Sequence, residues 1–233
     1  MIKIAVSGSK GRMGSSLIRL IEDDSKLELS GAFDQGDDAR AAIKDCDVLI
    51  EFTMPESTVK NLSIACELGK ALVIGTTGLD EKMLALIKKA SSKVPIVFSP
   101  NMAVGVNLLF KLVEEAARAL DDTFTFSVSE THHIHKKDSP SGTAKRLQGI
   151  IAGSRGVEPG QVRVEAQRKG EVVGDHIVVL DGKEERLELV HHAKSRDVFA
   201  RGALVAAKFV AGKKKGLYGM DEVLNMVAKE RVG

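Results

Sequence analysis

A short segment of the chain concentrates side chains that could transfer protons. Residues 130–144 read E-T-H-H-I-H-K-K-D-S-P-S-G-T-A and hold three of the six histidines of the chain. The imidazoles of His132 and His133 titrate near neutral pH, and the ammonium of Lys136 adds a fixed positive charge. Reduction of an anionic substrate requires both a proton donor and such a charge. The segment therefore predicts a site for an acidic substrate.

The end of this segment predicts the start of a helix. Ser141, Gly142 and Thr143 would present free backbone N–H groups and hydroxyls, which suit a carboxylate. Ser141 is equally suited to capping the helix, and capping does not preclude ligand binding. We expect His135 and Lys137 to face solvent or to support the site from behind.

A metal site is the main alternative for the histidines. The His-x-His spacing could contribute two ligands, but no nearby cysteine completes a set, and Glu130 and Asp138 flank the histidines rather than interleave with them. Cys46 and Cys66 lie in no C-x-x-C motif or Cys/His cluster. We therefore expect no metal and no disulfide, and two small buried thiols.

A glycine turn near the start predicts a dinucleotide site. Residues 8–14 read G-S-K-G-R-M-G and lie between a predicted strand and a predicted helix, where a pyrophosphate needs close backbone approach and free N–H groups. The standard spacing is G-x-G-x-x-G, so the turn alone is a weak signal. Asp34 strengthens it, because it stands 20 residues after Gly14 and could bind the ribose hydroxyls. An ordinary tight turn with a surface aspartate is the alternative.

The same residues bear on the type of nicotinamide cofactor. Asp34 should repel a 2′-phosphate, and Gln35 adds no positive charge, which favours NADH. Lys10, Arg12 and Arg40 could offset that repulsion, so NADPH stays open. Two further segments, Gly75-Thr76-Thr77-Gly78 and Ser99-Pro100-Asn101-Met102, follow the fourth and fifth predicted strands. Ligands bind at this edge of such sheets, so we expect contacts on the nicotinamide side there; plain connecting turns are the alternative.

The elements that position these residues form two predicted domains. Strands alternate with helices over the first hundred residues, which predicts an α/β fold with a Rossmann-like, doubly wound parallel sheet. A long helix and consecutive strands follow, which predict an α+β domain with a mostly antiparallel or mixed sheet. The predicted strands are 2–6, 27–33, 48–52, 71–74, 96–98, 124–128, 162–166, 176–180 and 187–190. Residues 1–103, completed by 197–233 with predicted helices at 198–210 and 221–227, would bind the cofactor, and 104–196 would bind the substrate.

Composition excludes several classes of protein. The chain has 34 basic and 32 acidic residues, a net charge of +2 and 4% aromatic residues, which does not suit a nucleic-acid surface. No apolar run approaches the ~20 residues of a membrane span. The first residues, M-I-K-I-A-V, run directly into a strand and leave no room for a signal peptide, so we expect a cytoplasmic protein.

The motifs resemble one family over essentially the whole chain. The signature E-x-H-H-x-x-K-x-D-x-P-S-G-T-A is matched from Glu130 to Ala144, and G-R-M-G at 11–14, G-T-T-G at 75–78, Asn101 and V-G-V-N at 104–107 agree as well. The chain is similar to the 4-hydroxy-tetrahydrodipicolinate reductases of lysine and diaminopimelate biosynthesis. The resemblance implies NAD(P)H-dependent reduction of a small cyclic dicarboxylate by a protein that is commonly a homotetramer. It also implies that the tetramer assembles through the sheet of the second domain, residues 104–196.

The resemblance also implies the roles of particular residues. His132 would be the general acid and base, and Lys136 a second proton donor that also holds the substrate. His133, Gly142 and Thr143 would bind the substrate carboxylates, with Ser141 at the same helix start. The cofactor would be bound by Gly8, Ser9, Lys10, Gly11, Arg12, Met13, Asp34, Gly75, Thr76, Thr77, Ser99, Pro100, Asn101 and Met102.

Departures from the family pattern leave alternatives open. The segment after the second strand is shortened, Gln35 stands where some members have arginine, and Met102 where some have phenylalanine, which puts the cofactor preference in doubt. A semialdehyde or homoserine dehydrogenase could share the two-domain plan, but the thioester type needs a nucleophilic cysteine, and Cys66 lies in a predicted helix. A non-catalytic NAD-sensing regulator would need no His-His-Lys segment and would bind NADH without turnover.

Overall fold

The computed structural model describes the backbone of residues 1–230 and the side chains of residues 1–225. The chain forms two compact units. The first comprises Met1–Val104 together with the chain from Asp197 onward, and the second comprises Gly105–Arg196. The last three residues of the predicted first domain, 231–233, lie outside the described residues. The domain assignment stays a prediction, because a compact unit is defined by its contacts and a domain by its ability to fold alone.

The first unit contains a parallel sheet. Its strands are β1 (Ile2–Ser7), β2 (Leu27–Phe33), β3 (Val48–Glu51), β4 (Ala71–Ile74), β5 (Pro95–Phe98) and β10 (Gly216–Tyr218), in the order β10-β5-β4-β3-β1-β2. Its helices are α1 (Arg12–Glu22), α2 (Ala39–Ile43), α3 (Pro55–Glu67), α4 (Glu81–Ala90), α7 (Asp197–Val210) and α8 (Met220–Glu230). The strand order reverses at β1, because β2 pairs on one side of it and β3 on the other. Ligands bind beside such a switch point.

Both faces of this sheet are buried, as the continuous apolar strands predict. One face packs against α1 and α7 through residues such as Leu17, Ile21 and Phe209, and the other packs against α3 and α4 through Leu62 and Ile87. Helix α7 approaches so closely that a Cβ at Gly202 would lie 1.7 Å from the carbonyl oxygen of Met102. The doubly wound fold class is confirmed.

The second unit contains a mixed sheet of four strands. They are β6 (Thr125–His132), β7 (Arg163–Arg168), β8 (Asp175–Asp181) and β9 (Arg186–His192), in the order β7-β6-β8-β9. β6 and β7 run parallel, whereas β6 with β8 and β8 with β9 run antiparallel. This unit also holds α5 (Val104–Ala119), α6 (Gly142–Arg155) and a 3-10 turn, Pro159–Gln161. The predicted mostly antiparallel or mixed sheet is confirmed.

Strand β6 is longer than predicted, which moves part of the polar segment from a loop into the sheet. The prediction ended this strand near Val128, where the apolar alternation stops. The alternation of burial continues, however, with Val128, Glu130 and His132 all buried on one face. Polar side chains can occupy the inward positions of a strand when they have partners there. Glu130 and His132 are therefore held by the backbone of the sheet.

The two cysteines differ in their surroundings. Cys46 is buried, and that burial raises the pKa of its thiol to about 11. Cys66 lies in α3 and is only partly buried, so the expectation of two buried thiols is wrong for this residue. Burial nevertheless raises the pKa of the Cys66 thiol above its ordinary value. Among the helices that the structure describes, none has the length and apolar character needed to cross a membrane.

Candidate active site

Glu130 is the centre of an ionic cluster in the second unit. Its side chain is fully buried and binds three groups: Nδ1 of His132, Nη1 of Arg168 at 3.0 Å, and the backbone N–H of Ser141 at 3.1 Å. Burial alone would raise the pKa of Glu130, but the hydrogen bonds from His132, Ser141 and Arg168 outweigh it and hold this pKa below the ordinary value. We call Glu130, His132, Arg168 and Ser141 the Glu130 cluster.

His132 has one ring nitrogen bound and one facing away from Glu130. Nδ1 bonds the Glu130 carboxylate, which assigns the proton of the neutral ring to Nδ1 and leaves Nε2 as the reactive nitrogen. Burial lowers the pKa of His132, the Glu130 carboxylate raises it, and the charges of Lys136 and Arg168 lower it further. The net pKa lies below the ordinary value, so protonated His132 is a ready proton donor.

Lys136 and the loop around it are held by two ion-pairing side chains. Nζ of Lys136 lies 2.9 Å from Oδ1 of Asp138. Arg168 donates to the carbonyl oxygens of Lys136 and Asp138 while it bonds Glu130. Burial raises the pKa of Asp138, and the Lys136 ammonium more than offsets this and lowers it. Arg168 therefore ties the lysine loop to the buried carboxylate.

Ser141 caps helix α6, as one of the two predicted alternatives states. Its Oγ accepts a hydrogen bond from the Ala144 N–H at 3.2 Å, and its own N–H is donated to Glu130. Gly142 is exposed at the helix start, and a Cβ there would meet no heavy atom within 4 Å. The structure thus brings Ser141 to the same carboxylate that binds His132.

The remaining residues of the segment lie farther out. His133 is partly buried, and that burial together with the charge of Arg196 lowers its pKa. His135 and Lys137 are exposed, as predicted, and Nε2 of His135 lies 3.9 Å from Glu171. In the part of the chain with described side chains, no group of three or more His, Cys, Asp or Glu residues is arranged to hold a metal ion.

Two residues of this site were missed by the sequence prediction. Arg168 lies opposite His132 in the β6–β7 register, and His176 lies opposite Glu130 in the β6–β8 register. The ring of His176 is only 3% exposed, and its centroid lies 5.1 Å from that of His132. Burial lowers the pKa of His176 to about 4, so this ring is neutral at physiological pH. The sequence could have indicated His176, because it alternates with the buried residues Val178 and Leu180 on the same face of β8.

The glycine turn, residues 8–14 of the first unit, forms a cradle in which Gly8, Gly11 and Gly14 leave the backbone open. Gly8 has φ of 74°, a conformation that favours glycine. A Cβ at Gly14 would lie 2.1 Å from the carbonyl oxygen of Gly8. Gly11 precedes α1 and offers no side chain to cap it, so the N–H groups of Arg12 and Met13 begin the helix. This geometry fits a pyrophosphate group of a dinucleotide.

Asp34 stands beside this turn, as predicted. Its carboxylate accepts hydrogen bonds from the backbone N–H of Lys10 at 2.7 Å and from Ser9 Oγ at 3.1 Å. A cavity of about 370 Å³ lies here, lined by Gly8, Gly11, Asp34, Gln35, Thr53 and Lys60 among others. Arg40 instead pairs with Glu67 on the surface. Lys60 is a cation that the prediction did not name.

The segments after β4 and β5 are held mainly by internal hydrogen bonds. Thr76 is buried, and its Oγ1 accepts from the Thr53 N–H at 3.3 Å. Ser99 is also buried, and it donates to the carbonyl oxygen of Asn101 at 2.8 Å. Met102 packs in the apolar core, whereas Gly75, Thr77 and Pro100 follow the strand ends as predicted. Thr77 and Pro100 are exposed at this edge of the sheet.

A buried carboxyl below the cavity was also missed. Glu51 ends β3 and is completely buried, where it binds Thr53 and accepts from Asn61 Nδ2 at 2.8 Å. Burial raises the pKa of Glu51 above the ordinary value. Asn61 also donates to Ser7 Oγ at 3.0 Å, so this network joins the ends of β1 and β3. These hydrogen bonds hold three residues that line the cavity, Ser7, Thr53 and Asn61.

A parallel sheet with a glycine cradle, and a separate unit with a buried Glu130–His132 pair, are features of a dinucleotide-binding oxidoreductase. Two family models match the chain. The model described as dihydrodipicolinate reductase, N-terminus, covers residues 2–102, and the one described as dihydrodipicolinate reductase, C-terminus, covers residues 105–224. The chain belongs to the dihydrodipicolinate reductase family, which confirms the resemblance found in the sequence.

Curated relatives and solved structures agree with this assignment. A 4-hydroxy-tetrahydrodipicolinate reductase of Aromatoleum aromaticum is 41% identical, with 97% of this chain and 96% of the relative covered. The namesake from Anaeromyxobacter sp. (strain Fw109-5) is 39% identical, with 97% and 98% covered. The dipicolinate-bound dihydrodipicolinate reductase of Paenisporosarcina sp. TG-14 has a TM-score of 0.83 at 21% identity, covering 94% of this chain and 97% of that one. The fold is therefore that of its family.

Proposed function

We propose that this protein is an NAD(P)H-dependent 4-hydroxy-tetrahydrodipicolinate reductase of lysine and diaminopimelate biosynthesis. The observation that carries the proposal is the buried Glu130–His132 pair, with Arg168 and Ser141 completing the carboxylate's partners. The product is tetrahydrodipicolinate, formed with loss of water. Family membership and the dipicolinate named in the Paenisporosarcina structure support a small cyclic dicarboxylate as the substrate.

The first unit would hold the cofactor. The cradle of Gly8 and Gly14 has no space for a Cβ, and Asp34 lies beside it, which together suit a pyrophosphate and a ribose. A nicotinamide bound there supplies the hydride. The other predicted cofactor residues, at 75–77 and 99–101, follow the neighbouring strands and would complete the site, whereas the side chain of Met102 is buried in the core.

His132 would protonate the substrate carbon next to the one that is reduced. Glu130 fixes the ring through Nδ1, so Nε2 carries the proton that is given away. The lowered pKa of His132, caused first by burial, favours the neutral ring after the transfer. Lys136 would hold the substrate and stabilise the electron-rich intermediate, and His133, Ser141, Gly142 and Thr143 would bind its carboxylates.

An activity assay with matched variants tests these roles. NADH oxidation with freshly made substrate is followed for His132→Gln and Lys136→Ala, with His135→Gln and Lys137→Ala as controls. The controls replace the same residue types at exposed positions of the same segment. We expect losses in kcat of about 10²-fold or more for the first pair and less than twofold for the controls. Full activity of His132→Gln or Lys136→Ala would refute the assigned role.

We propose NADH as the preferred cofactor. Asp34 presents a carboxylate to the cavity, and Gln35 beside it carries no charge. Arg40 is paired with Glu67, whereas Lys60 is a cation in the cavity lining that could attract a 2′-phosphate, as could Lys10 and Arg12 of the glycine turn. NADPH should therefore bind more weakly than NADH, and Lys60→Gln should weaken NADPH binding without changing NADH binding. Equal effects on both cofactors would contradict this.

We also propose a cytoplasmic homotetramer that assembles through the sheet of the second unit. The face of this sheet opposite α6 carries apolar side chains that are not fully buried, among them Val190 on β9, at 46% exposure, and its cross-strand partner Ile177 on β8. Light scattering of the purified protein measures the state, and a monomer at micromolar concentration would contradict the proposal. No observation favours the thioester mechanism, because burial raises the pKa of both cysteine thiols.

A further inference from the structure

Gly174 stands directly in front of the reactive nitrogen of His132. A Cβ at this position would lie 3.0 Å from His132 Nε2, 3.3 Å from its Cδ2 and 3.7 Å from His176 Cε1. Gly174 is not among the glycines with positive φ, so its backbone conformation is open to any residue. The backbone therefore gives no reason for glycine here. The imidazole of His132 explains the glycine, because a methyl group at position 174 would be too close to this ring.

His176 forms a second wall against the same ring. The two imidazoles meet edge to face, with centroids 5.1 Å apart and planes at 74°. Nε2 of His176 lies 3.5 Å from Ser141 Oγ, whereas its Nδ1 is buried without a partner among the described residues. An apolar side chain would avoid the cost of burying that nitrogen. Packing of the sheet alone therefore does not account for a histidine at this position.

His132 is thus contacted on three sides. Glu130 binds Nδ1, and His176 packs against the ring. On the third side Gly174 lies so close to Nε2 that only a residue without a Cβ fits there without displacing the ring. We propose that Gly174 and His176 are positioning residues that hold the His132 imidazole so that Nε2 is presented to the substrate. This inference rests on the proposed function, in which His132 is the proton donor.

The first test is Gly174→Ala. The added methyl lies closer than ordinary van der Waals contact to Nε2, so the ring must shift by a few tenths of an ångström from its position between Glu130 and His176. Proton transfer depends steeply on such displacements, and we expect kcat to fall about tenfold while KM for NADH stays unchanged. The matched control is Gly153→Ala in α6, where a Cβ meets no heavy atom within 4 Å. The control should keep wild-type kcat.

The second test replaces His176 by Phe and by Ala. Phenylalanine keeps a ring against His132, so we expect His176→Phe to retain more kcat than His176→Ala, which should lose about tenfold. His191→Phe is the matched control. His191 is the cross-strand partner of His176 on β9, its Nδ1 is also buried without a partner among the described residues, and its ring lies 6.3 Å from that of His176. It should keep wild-type kcat.

A readout separate from activity is the NMR titration of the His132 ring. The charged and titratable groups facing this ring are Glu130 of the same strand, Arg168 of β7, His176 of β8 and Lys136 of the loop. In His176→Ala, water replaces a neutral ring, which relieves the burial that lowers the pKa of His132. The pKa of His132 should therefore rise, and the loss of kcat at high pH should move to higher pH. An unchanged pKa of His132 in His176→Ala would contradict the packing of His176 against this ring, and an unchanged kcat beside a raised pKa would contradict its positioning role.

The outcomes separate this inference from the proposed function. If His132→Gln is inactive while Gly174→Ala and His176→Ala keep wild-type kcat and an unchanged His132 titration, the inference is overturned and the function stands. If His132→Gln is fully active, the role of His132 as proton donor is wrong, and the titration of His132 in the two variants still decides whether Gly174 and His176 position the ring. Should Gly174→Ala fail to fold, the His176 pair gives the same decision.

Discussion

The glycine turn of the first unit is built from backbone, whereas the Glu130 cluster of the second unit is built from side chains. At Gly8 and Gly14 a Cβ would collide with neighbouring atoms, so the turn requires residues without a Cβ at these two positions. At Glu130 a buried carboxylate is balanced by His132, Arg168 and the Ser141 N–H. The comparison shows that the two sites are sensitive to different substitutions. The glycine turn is disrupted by an added side chain, whereas the Glu130 cluster is disrupted by the loss of a charged group.

The largest expected effect comes from breaking the ionic site. Glu130→Gln removes the carboxylate that raises the pKa of His132 and leaves Arg168 without its counter-charge. We expect kcat to fall by about 10²-fold or more and unfolding free energy to drop by about 3–5 kcal/mol. Steady-state kinetics and urea unfolding measure these quantities. A Kd for NADH within twofold of wild type is the internal control, since the cradle lies in the other unit.

This variant also has a pH signature in stability. The folded-state pKa of Glu130 lies below its unfolded value because hydrogen bonds from His132, Ser141 and Arg168 outweigh burial. The carboxylate therefore stabilises the fold above the unfolded pKa, and this contribution is lost as pH falls through the folded pKa. The difference in unfolding free energy between wild type and Glu130→Gln should shrink as pH falls below about 4.5, the ordinary pKa of Glu. A constant difference down to pH 3 would contradict the ionic account.

The second effect comes from filling the cradle. Gly14→Ala places a methyl 2.1 Å from the Gly8 carbonyl oxygen, which is backbone and cannot turn away. We expect the Kd for NADH to rise at least tenfold, about 1.4 kcal/mol, with an unchanged His132 titration. Calorimetry of NADH binding measures the first quantity and NMR the second. Gly212→Ala, where a Cβ meets no heavy atom within 4 Å, should bind NADH normally.

The sequence allowed one of these two sites to be predicted more fully than the other. The glycine turn and Asp34 are local in sequence, and strands β2 and β4 have the predicted bounds because their apolar runs end at polar or glycine residues. Of the partners of Glu130, His132 and Ser141 lie in the same segment, 130–144, whereas Arg168 lies on β7. The alternation in β8 places His176 on the inward face, but only strand register places Arg168 opposite His132 and His176 opposite Glu130, and no local pattern reveals that register. Strand β10, with three residues, and helix α2, with five, were too short to show a period.

A third effect concerns the specificity of the cradle. Gln35→Arg places a cation beside Asp34 in the cavity lining. We expect the ratio of NADPH to NADH affinity to rise about tenfold, because the guanidinium can bind a 2′-phosphate. Parallel titrations with both cofactors measure this ratio. Gln35→Met, which adds no charge at the same length, should leave the ratio near that of wild type.

The smallest effect separates a cap from a binding residue. Ser141→Ala removes the Oγ that accepts from the Ala144 N–H, and Asp80→Ala removes the equivalent cap of α4, where Oδ1 accepts from Met83 N–H at 2.8 Å. Each should cost about 1 kcal/mol of stability in urea unfolding. Only Ser141→Ala should also raise KM for the dicarboxylate, since the Ser141 hydroxyl is proposed to bind a substrate carboxylate, whereas the backbone N–H that binds Glu130 is kept. If both variants leave KM unchanged, Ser141 is a cap alone.

The most direct measurement is the pH dependence of kcat/KM compared with the NMR titration of His132 in the free protein. Since kcat/KM reports the ionisations of the free protein, its fall at high pH should share a midpoint with the His132 ring, below the ordinary pKa of 6.5 because of burial. In His132→Gln this midpoint should disappear together with at least 10²-fold of the rate. A fall in kcat/KM that keeps its midpoint in His132→Gln would show that another group donates the proton.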